Sequence, residues 1–419
     1  MKKRARPATS ASRTPVARHD NPFRIGGTVA GPFFTDREAE IARCAATLQE
    51  PGAKLLVYGP RRTGKSSSLQ RSVDQVNAAG GHAFIADLST ATTMVDISNR
   101  ILAGAIRAVG RRWTTLLTDL VTHLQASLAL EPDPTTGLML PSFRVSVRDG
   151  ALEEQQASLV SALDSLNALA GARGVVLGVV LDEFQEITRF GGSQAEWHLR
   201  GAMQRHDHLG YVVAGSKPAL IRAMIGRGRA FYELFEPLRF GPIESLHFAA
   251  WIDDRMRAVG LEPHAAGAQC IQLAGARTRD VVRLARKCVD RADRARDIDA
   301  LAIEAAFREV IDEIDDSTHA WWEDLTSLQQ NVLRAVAATS RGLTSKAVHE
   351  RFALPVNSVP NTLKALVGNG HLLKTRHGAG YAFDNPFVRG WVIVNALPDL
   401  GIQLPVTHIA SPNDEYEAP

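Results

Sequence analysis

The feature that most constrains this chain is the segment Gly-Pro-Arg-Arg-Thr-Gly-Lys-Ser at residues 59–66, which satisfies the pattern G-x-x-x-x-G-K-[S/T] in full. An apolar run at residues 55–58 predicts a strand directly before it, and the run that begins at Ser67 predicts a helix directly after it. Such a loop can wrap phosphate groups, because its backbone N–H groups point inward beside the positive end of the helix dipole. The alternative, an ordinary glycine turn, does not explain the flanking strand and helix.

The loop predicts a site for a nucleoside triphosphate, expected to be ATP, in which two side chains have defined roles. We expect Lys65 to reach the β and γ phosphates, and the Ser66 hydroxyl to be a ligand of magnesium (Mg2+). The residues predicted to contact the nucleotide in and just after the loop are Gly59, Pro60, Arg61, Arg62, Thr63, Gly64, Lys65, Ser66 and Ser67.

Two adjacent carboxylates complete the predicted metal and water site. The apolar run at residues 174–181 ends in Asp182 and Glu183, which places both at the carboxyl edge of a predicted strand, where open α/β folds bind ligands. Asp182 is expected to contact the magnesium shell, and Glu183 to act as general base or to orient the attacking water. The alternative is that the pair caps the next helix or faces solvent.

Further polar residues are candidates for sensing the nucleotide. A strand predicted at residues 211–214 runs into Ser216, whose hydroxyl is expected to lie between the γ phosphate and the water. A turn serine is the alternative. Residues 275–279 open a helix that is expected to deliver Arg277 or Arg279 to the nucleotide, unless this is only a solvated helix start.

The composition and the pattern of apolar residues along the chain predict a multidomain globular protein. The chain has 419 residues, 45% of them hydrophobic and 22% charged. Short apolar strands alternate with helical stretches between residues 26 and 242, which predicts an α/β fold with a parallel sheet covered by helices on both faces. From residue 245 to about 314 the pattern is purely helical, with Ser245 as its predicted N-cap.

Other features of the composition bear on the cellular location of the protein, on its cysteines and on the start of the chain. The longest nearly apolar run, residues 175–181, is far below the roughly 20 residues that cross a bilayer, which predicts no membrane contact and a cytoplasmic protein. The three cysteines, Cys44, Cys270 and Cys288, stand in apolar or helical contexts and are expected to be reduced core residues. The first eighteen residues carry six basic side chains and no acid, which predicts a disordered arm that either touches nucleic acid or is only solvated.

These motifs resemble those of the archaeal-type ATPases in the STAND branch of the AAA+ class, relatives of origin-recognition initiators. The resemblance covers roughly residues 21–391 and includes Asn-Pro-Phe at 21–23, Leu-Asp-Glu-Phe-Gln at 181–185, Ala-Gly-Ser at 214–216 and Asn-Pro-Phe at 385–387. It implies that Phe34 and Arg37 lie near the adenine. The family usually has Gly-x-Pro at the start of its sensor helix, where this chain has Gly-Ala-Arg at 275–277.

The resemblance also implies a P-loop AAA+ core, a helical lid and a C-terminal winged helix-turn-helix. It implies an ATP-driven switch or assembly, so a homo-oligomer or a protein partner is expected from class membership. Arg200 and Arg205 are candidates for an arginine that acts on a neighbouring subunit. The predicted units are a basic arm (1–20), the nucleotide-binding core (21–244), the lid (245–318), the winged helix-turn-helix (319–395) and a polar tail (396–419), which is expected to be disordered from Ile402 onward.

The C-terminal pattern itself predicts three helices followed by a β ribbon at residues 371–383. Between residues 325 and 391 there are eight Lys and Arg residues against two acids, a surplus that suits contacts with DNA phosphates. A protein-docking unit with a merely solvated basic face is the alternative. The residues expected to contact double-stranded DNA are Asn357, Ser358, Asn361, Thr362, Lys364, Lys374 and Arg376, with His377 beside them on the ribbon.

Two functions follow as hypotheses. The first is an ATP hydrolase of the AAA+ type whose nucleotide state controls DNA engagement or assembly through its winged helix. The second is a STAND-type signalling or scaffold switch with slow turnover, in which the winged helix binds protein.

Overall fold

The structure is a computed structural model that describes residues 21–29, 31–109, 126–132, 139–145, 152–275, 277–292, 296–339, 343, 345–374 and 380–408. The predicted basic arm therefore lies outside the described residues. Within them, no helix combines the length and the apolar character that crossing a bilayer requires.

The centre of the molecule is a parallel five-stranded sheet. The strands of the described residues are β1 (Lys54–Tyr58), β2 (His82–Asp87), β3 (Ala126–Pro132), β4 (Met139–Val145), β5 (Leu177–Asp182), β6 (Leu209–Gly215), β7 (Glu236–Arg239), β8 (Leu372–Lys374) and β9 (Tyr381–Phe383). The sheet order is β2-β5-β6-β1-β7, and every pairing in it is parallel. The α/β fold with a parallel sheet is thus confirmed.

Apolar runs at residues 55–58, 83–87, 175–181 and 211–214 predict four of these five strands, and the sequence pattern missed β7. Three of the four side chains of β7 are exposed, so it lacks the apolar run that marks a buried strand. The antiparallel pair β3 and β4 was also not predicted.

Helices cover both faces of the sheet. The helices of this core are α1 (Glu38–Gln49), α2 (Lys65–Ala78), α3 (Met94–Val109), α4 (Leu152–Arg173), α5 (Glu186–Arg205) and α6 (Pro218–Ile225). Along β1, Leu55 and Val57 pack in the cluster formed with α1 and α2, whereas Leu56 packs in the cluster formed with α3 and α4. This alternation gives each face of the sheet its own hydrophobic core.

Helix α1 lies unusually close to the sheet because of two glycines. A Cβ placed on Gly210 would be 2.3 Å from the Thr47 carbonyl oxygen, and one on Gly178 would be 2.8 Å from the Leu48 side chain. Only glycine allows this approach of helix to strand. It fixes the end of α1 against β5 and β6.

A helical unit follows the sheet, as the sequence predicted. Its helices are α7 (Ser245–Ala258), α8 (Ala266–Ala274), α9 (Thr278–Arg291) and α10 (Ala300–Asp312). The prediction that Ser245 caps α7 is wrong by one residue. Glu244 is the N-cap, because its carboxylate accepts hydrogen bonds from the backbone N–H groups of Leu246 and His247 at 3.0 and 2.7 Å.

The C-terminal unit packs directly on this helical unit. Its helices are α11 (Asp315–Glu323), α12 (Ser327–Ala338), α13 (Lys346–Arg351), α14 (Val359–Gly368) and α15 (Pro386–Trp391), with β8 and β9 paired between α14 and α15. One hydrophobic cluster runs through both units, and the rings of Phe307 and Phe387 lie 5.4 Å apart within it. The two units therefore share one core.

The prediction that the tail is disordered from Ile402 onward is wrong for its first residues. Ile402 and Val406 are buried in the shared hydrophobic cluster. The His408 ring hydrogen-bonds the Ala338 carbonyl at 3.2 Å. Three short aliphatic positions, Ile402, Leu404 and Val406, interrupted by Gln403 and Pro405, gave too weak a pattern to predict this packing. Residues 409–419 lie outside the described residues.

The start of the predicted core also packs on the helical unit. Phe23 is fully buried in the shared cluster, with its ring 5.8 Å from that of Trp251. The Asn21 side chain donates to the Arg286 carbonyl at 3.0 Å, and the Arg286 guanidinium donates to the Phe23 carbonyl at 2.9 Å. Residues 21–23 thus lie against α9 rather than the sheet.

Candidate nucleotide site

The glycine-rich loop joins β1 to α2 as the sequence predicted. A Cβ on Gly59 would lie 2.2 Å from the Phe240 carbonyl oxygen, so this position excludes any side chain. Gly64 has φ +91°, which favours glycine, and it precedes the first turn of α2 without a side-chain cap. Backbone N–H groups at such a helix start have no partner within the helix and are suited to bind an anion.

Lys65 is buried at the base of the loop. Its amine donates to the carbonyls of Gly59 and Pro60 at 2.9 and 2.6 Å. Burial lowers the pKa of Lys65 to about 8, and the carboxylates of Asp182 and Glu183 partly oppose this shift. Nearby phosphate charge would favour the protonated amine, as an opposite charge does for any buried cation.

The two residues predicted to hold magnesium lie in contact. The Ser66 hydroxyl donates to Oδ2 of Asp182 at 2.7 Å, across the space between α2 and the end of β5. Burial raises the pKa of Asp182, and the hydrogen bond from Ser66 partly offsets this. A hydroxyl and a carboxylate side by side are oxygen ligands of the kind that Mg2+ prefers. The residues present therefore fit the metal.

Glu183 is held at the same edge by neighbouring donors. Its backbone has φ +56°, in the left-handed region that is uncommon for a residue with a side chain. The Ser216 hydroxyl donates to Oε2 of Glu183 at 2.8 Å and accepts from Nε of Arg61 at 3.4 Å. The structure thus brings Ser216 from the end of β6 to Glu183, and links both to the glycine-rich loop.

Sequence reasoning gave no role to Gln185, which belongs to this group. Its buried side chain donates from Nε2 to Oε2 of Glu183, the oxygen that Ser216 also uses. The sequence signal that could have identified Gln185 is its position two residues after Glu183, in the Leu-Asp-Glu-Phe-Gln motif. A glutamine has no charge, so no pattern of acids and bases could single it out.

The loop also contacts the helical unit, through Asp280, which was not predicted from the sequence. Arg62 pairs with the buried Asp280 of α9 at 3.2 Å, and the backbone N–H of Arg279 donates to the Arg62 carbonyl at 3.2 Å. Arg277 instead forms an ion pair with Asp384, just after β9. Of the two candidate arginines, Arg279 lies by its backbone at the loop and Arg277 is directed to the C-terminal unit.

The two residues placed near the adenine by resemblance both precede α1 and make separate contacts. The Arg37 side chain is buried, donates to the Gly241 carbonyl at 2.6 Å and lies 5.1 Å from the Phe240 ring. Phe34 lies 4.4 Å from the guanidinium of Arg71 in α2. Arg37 is thereby next to the residue that packs on Gly59.

Both candidates for a trans-acting arginine make contacts within the chain. Arg200 donates to the Tyr232 carbonyl at 2.8 Å. Arg205 pairs with Asp164 at 3.3 Å. Neither geometry favours action on a neighbouring subunit.

The residues predicted to contact DNA gather at α14 and β8. Asn357, Asn361, Lys364 and Lys374 are exposed. Ser358 and Thr362 are half-buried, and the Thr362 hydroxyl donates to the Ser358 carbonyl at 3.0 Å. Arg376 and His377 lie outside the described residues.

The basic surplus of this unit is smaller at its surface than in its sequence. Arg334 pairs with Asp399 at 3.2 Å and donates to the Ala396 carbonyl at 3.1 Å. Only 14% of its side chain is exposed, so it is part of the packing.

Comparison with known proteins identifies the fold alone. No protein-family model matches the sequence, and no curated protein matches it. Among solved structures, a Walker-type ATPase of Pyrococcus abyssi is similar with a TM-score of 0.58 and 16% identity, over 88% of this chain and 99% of that one. The ORC1 protein of Aeropyrum pernix, solved in complex with DNA, gives a TM-score of 0.46 and 17% identity, over 88% and 95%. The fold is a P-loop AAA+ core followed by a helical C-terminal region. This follows from the order of the strands in the sheet, the glycine-rich loop and the similarity to the Pyrococcus abyssi ATPase.

Proposed function

We propose that this chain binds ATP with Mg2+ and hydrolyses it, and that its nucleotide state controls engagement of DNA through the C-terminal unit. The observation that carries the proposal is the 2.7 Å contact between Ser66 and Asp182, with Glu183 directly after Asp182. Two distant segments bring a hydroxyl, two carboxylates and a lysine to one edge of the sheet. These are the groups that phosphoryl transfer to water requires.

Each residue has a chemical task in this proposal. Backbone amides of residues 59–66 and the Lys65 amine bind the β and γ phosphates, while Ser66 and Asp182 hold Mg2+. The metal, when bound, neutralises charge on the phosphate oxygens. Glu183 accepts a proton from the attacking water, and Ser216 orients the Glu183 carboxylate.

A chain of ion pairs supports coupling between the nucleotide site and the C-terminal unit. Arg62 of the loop pairs with Asp280, and Arg277, three residues before Asp280, pairs with Asp384 beside the β ribbon. Arg62 and Arg277 both act electrostatically on the Asp280 carboxylate. A change of charge at the loop would therefore alter how firmly α9 and the ribbon are held.

We infer that the C-terminal unit is a winged helix-turn-helix, with α14 as the helix that enters the major groove. Three helices (α12, α13 and α14) precede the antiparallel pair β8 and β9, and polar side chains at Asn357, Asn361 and Lys364 are exposed together. Exposed lysines at Lys364 and Lys374 suit phosphate contacts, which fix register on the duplex.

A STAND-type switch whose winged helix binds protein is the second candidate, and one surface favours it. Val356 is 70% exposed just before α14, beside Leu354 and a cavity of about 410 Å3 that both residues line. An exposed aliphatic residue at a groove suits a protein partner better than a phosphate backbone.

Phosphate release with and without duplex DNA, run beside Lys65→Ala, tests the proposal. We expect magnesium-dependent release that Lys65→Ala abolishes and that DNA stimulates. Release without DNA stimulation would favour the switch. No nucleotide uptake by calorimetry would overturn both functions.

A further inference from the structure

Gln185 occupies a position that packing and helix capping do not explain. It precedes the first turn of α5 as the N-cap residue, yet its side chain makes no capping hydrogen bond. The side chain turns back instead and donates to Glu183. It is 3% exposed, so a polar group has been buried in order to make this one contact.

The amide of Gln185 lies between Glu183 and the end of β6. A Cβ on Gly215 would lie 2.7 Å from Oε1 of Gln185, so glycine at 215 makes room for the amide. Within the part of the chain that the structure describes, this Oε1 is buried without a hydrogen-bond partner. Burying half of an amide without a partner costs free energy, so nothing on the Oε1 side explains why Gln185 is buried.

Two donors therefore converge on one oxygen of Glu183. Ser216 and Gln185 both donate to Oε2, and among the described residues Oε1 makes no hydrogen bond. Two donors from different elements fix the plane of a carboxylate, whereas one donor lets it rotate. The oxygen that neither donor contacts, Oε1, is then the one presented to a water molecule.

We propose that Gln185 is a positioning residue for ATP hydrolysis, which acts by fixing the Glu183 carboxylate together with Ser216. This inference rests on the hydrolysis proposed above. Gln185 hydrogen-bonds Glu183 and lies against the end of β6, and among the described residues it forms no hydrogen bond with the glycine-rich loop. It therefore affects the rate of the chemical step and leaves ATP binding unchanged.

Gln185→Met tests this, because methionine keeps the unbranched shape and removes the donor. Gln156→Met is the matched control, since Gln156 is also a buried glutamine with an unpartnered Oε1, but its Nε2 donates to the Gly191 carbonyl at 3.3 Å. We expect Gln185→Met to lower kcat about tenfold or more with KM within about threefold, and Gln156→Met to stay within about twofold of the parent.

A double-mutant cycle with Glu183→Gln separates positioning from general damage. If Gln185 acts through Glu183, Gln185→Met lowers the residual rate of Glu183→Gln by less than about twofold in single-turnover assays. Equal losses in both backgrounds, or an unchanged kcat in the single variant, would overturn the inference. Should Gln185→Met fail to fold, Gln185→Glu keeps the shape, lacks the donor and is expected to lose at least as much activity.

If the chain does not hydrolyse ATP, the assays give a different result from the one expected if only the role of Gln185 is wrong. In that case the parent protein releases no more phosphate than Lys65→Ala, and both proposals fall together. A parent that hydrolyses ATP while Gln185→Met matches it overturns only the role of Gln185.

Discussion

Polar clusters are buried at both ends of the strands of the parallel sheet. The two clusters differ in how the hydrogen bonds and charges of their polar groups are satisfied. At the carboxyl edge lie Lys65, Asp182 and Glu183. At the opposite edge the His206 ring hydrogen-bonds the Tyr211 hydroxyl at 2.6 Å and Asp164 at 2.7 Å. His206 and Tyr211 are buried, as are Lys65 and Asp182.

The cluster at His206 contains residue types that also serve in catalysis, yet its geometry is that of a structural network. Both ring nitrogens of His206 have partners within the chain, and Tyr211 is completely buried. At the carboxyl edge burial shifts the pKa of both Lys65 and Asp182 away from the charged form. A ligand that brings opposite charges would relieve this cost. Buried charges that a bound ligand could stabilise indicate a functional site better than residue types do.

The largest effect that tests this contrast is expected from Glu183→Gln. The variant removes the proton acceptor and keeps the size of the side chain. We expect phosphate release to fall about 10²–10⁴-fold while the Kd for ATP changes less than about threefold. Steady-state phosphate release measures the first effect and calorimetry the second. Unchanged release would remove Glu183 from the mechanism.

At the opposite edge, Tyr211→Phe should change stability and leave the nucleotide site intact. It removes the hydroxyl that hydrogen-bonds the buried His206 ring, so we expect the free energy of unfolding to fall by about 1–3 kcal/mol. The Kd for ATP should match that of the parent. Denaturant unfolding and calorimetry check the two statements, and a weakened ATP affinity would show that the clusters are coupled.

The affinity for ATP should depend on pH through Lys65. The pKa of Lys65 is lowered to about 8 by burial, so the amine loses its proton above that pH while bound phosphate favours the charged form. We expect the Kd to rise by up to about tenfold per pH unit above about 8, which corresponds to about 1.4 kcal/mol. Calorimetry between pH 7 and pH 10 measures this. A constant affinity would show that Lys65 stays charged throughout.

The smallest effect is a loss of stability in mild acid that comes from His206. Burial lowers its pKa, against the opposing effect of Asp164, so the folded protein disfavours the charged ring. The unfolded chain then binds more protons below pH 6.5, and the free energy of unfolding decreases as pH falls through that region. His206→Gln cannot titrate and should lack this component. A parent and variant with the same pH profile would contradict the assignment.

Much of the fold was predictable because its buried strands are apolar on both faces and its loop has a fixed glycine spacing. The prediction that Ser66 and Asp182 cooperate was possible because the carboxyl ends of parallel strands meet at one edge. Gln185 and Asp280 were not predictable, since their roles depend on contacts that the chain forms only after folding. Packing likewise decides that Ile402 and Val406 belong to the core.

The burial of Phe23 has a practical consequence for anyone who prepares this protein. Its ring fills a place among the helices that follow the sheet, 5.8 Å from the ring of Trp251. A recombinant fragment that starts after residue 23 would open a hole of aromatic size there and lose the Asn21 hydrogen bonds as well. Expression fragments should therefore start upstream of Asn21, and affinity tags should be separated from it by a spacer.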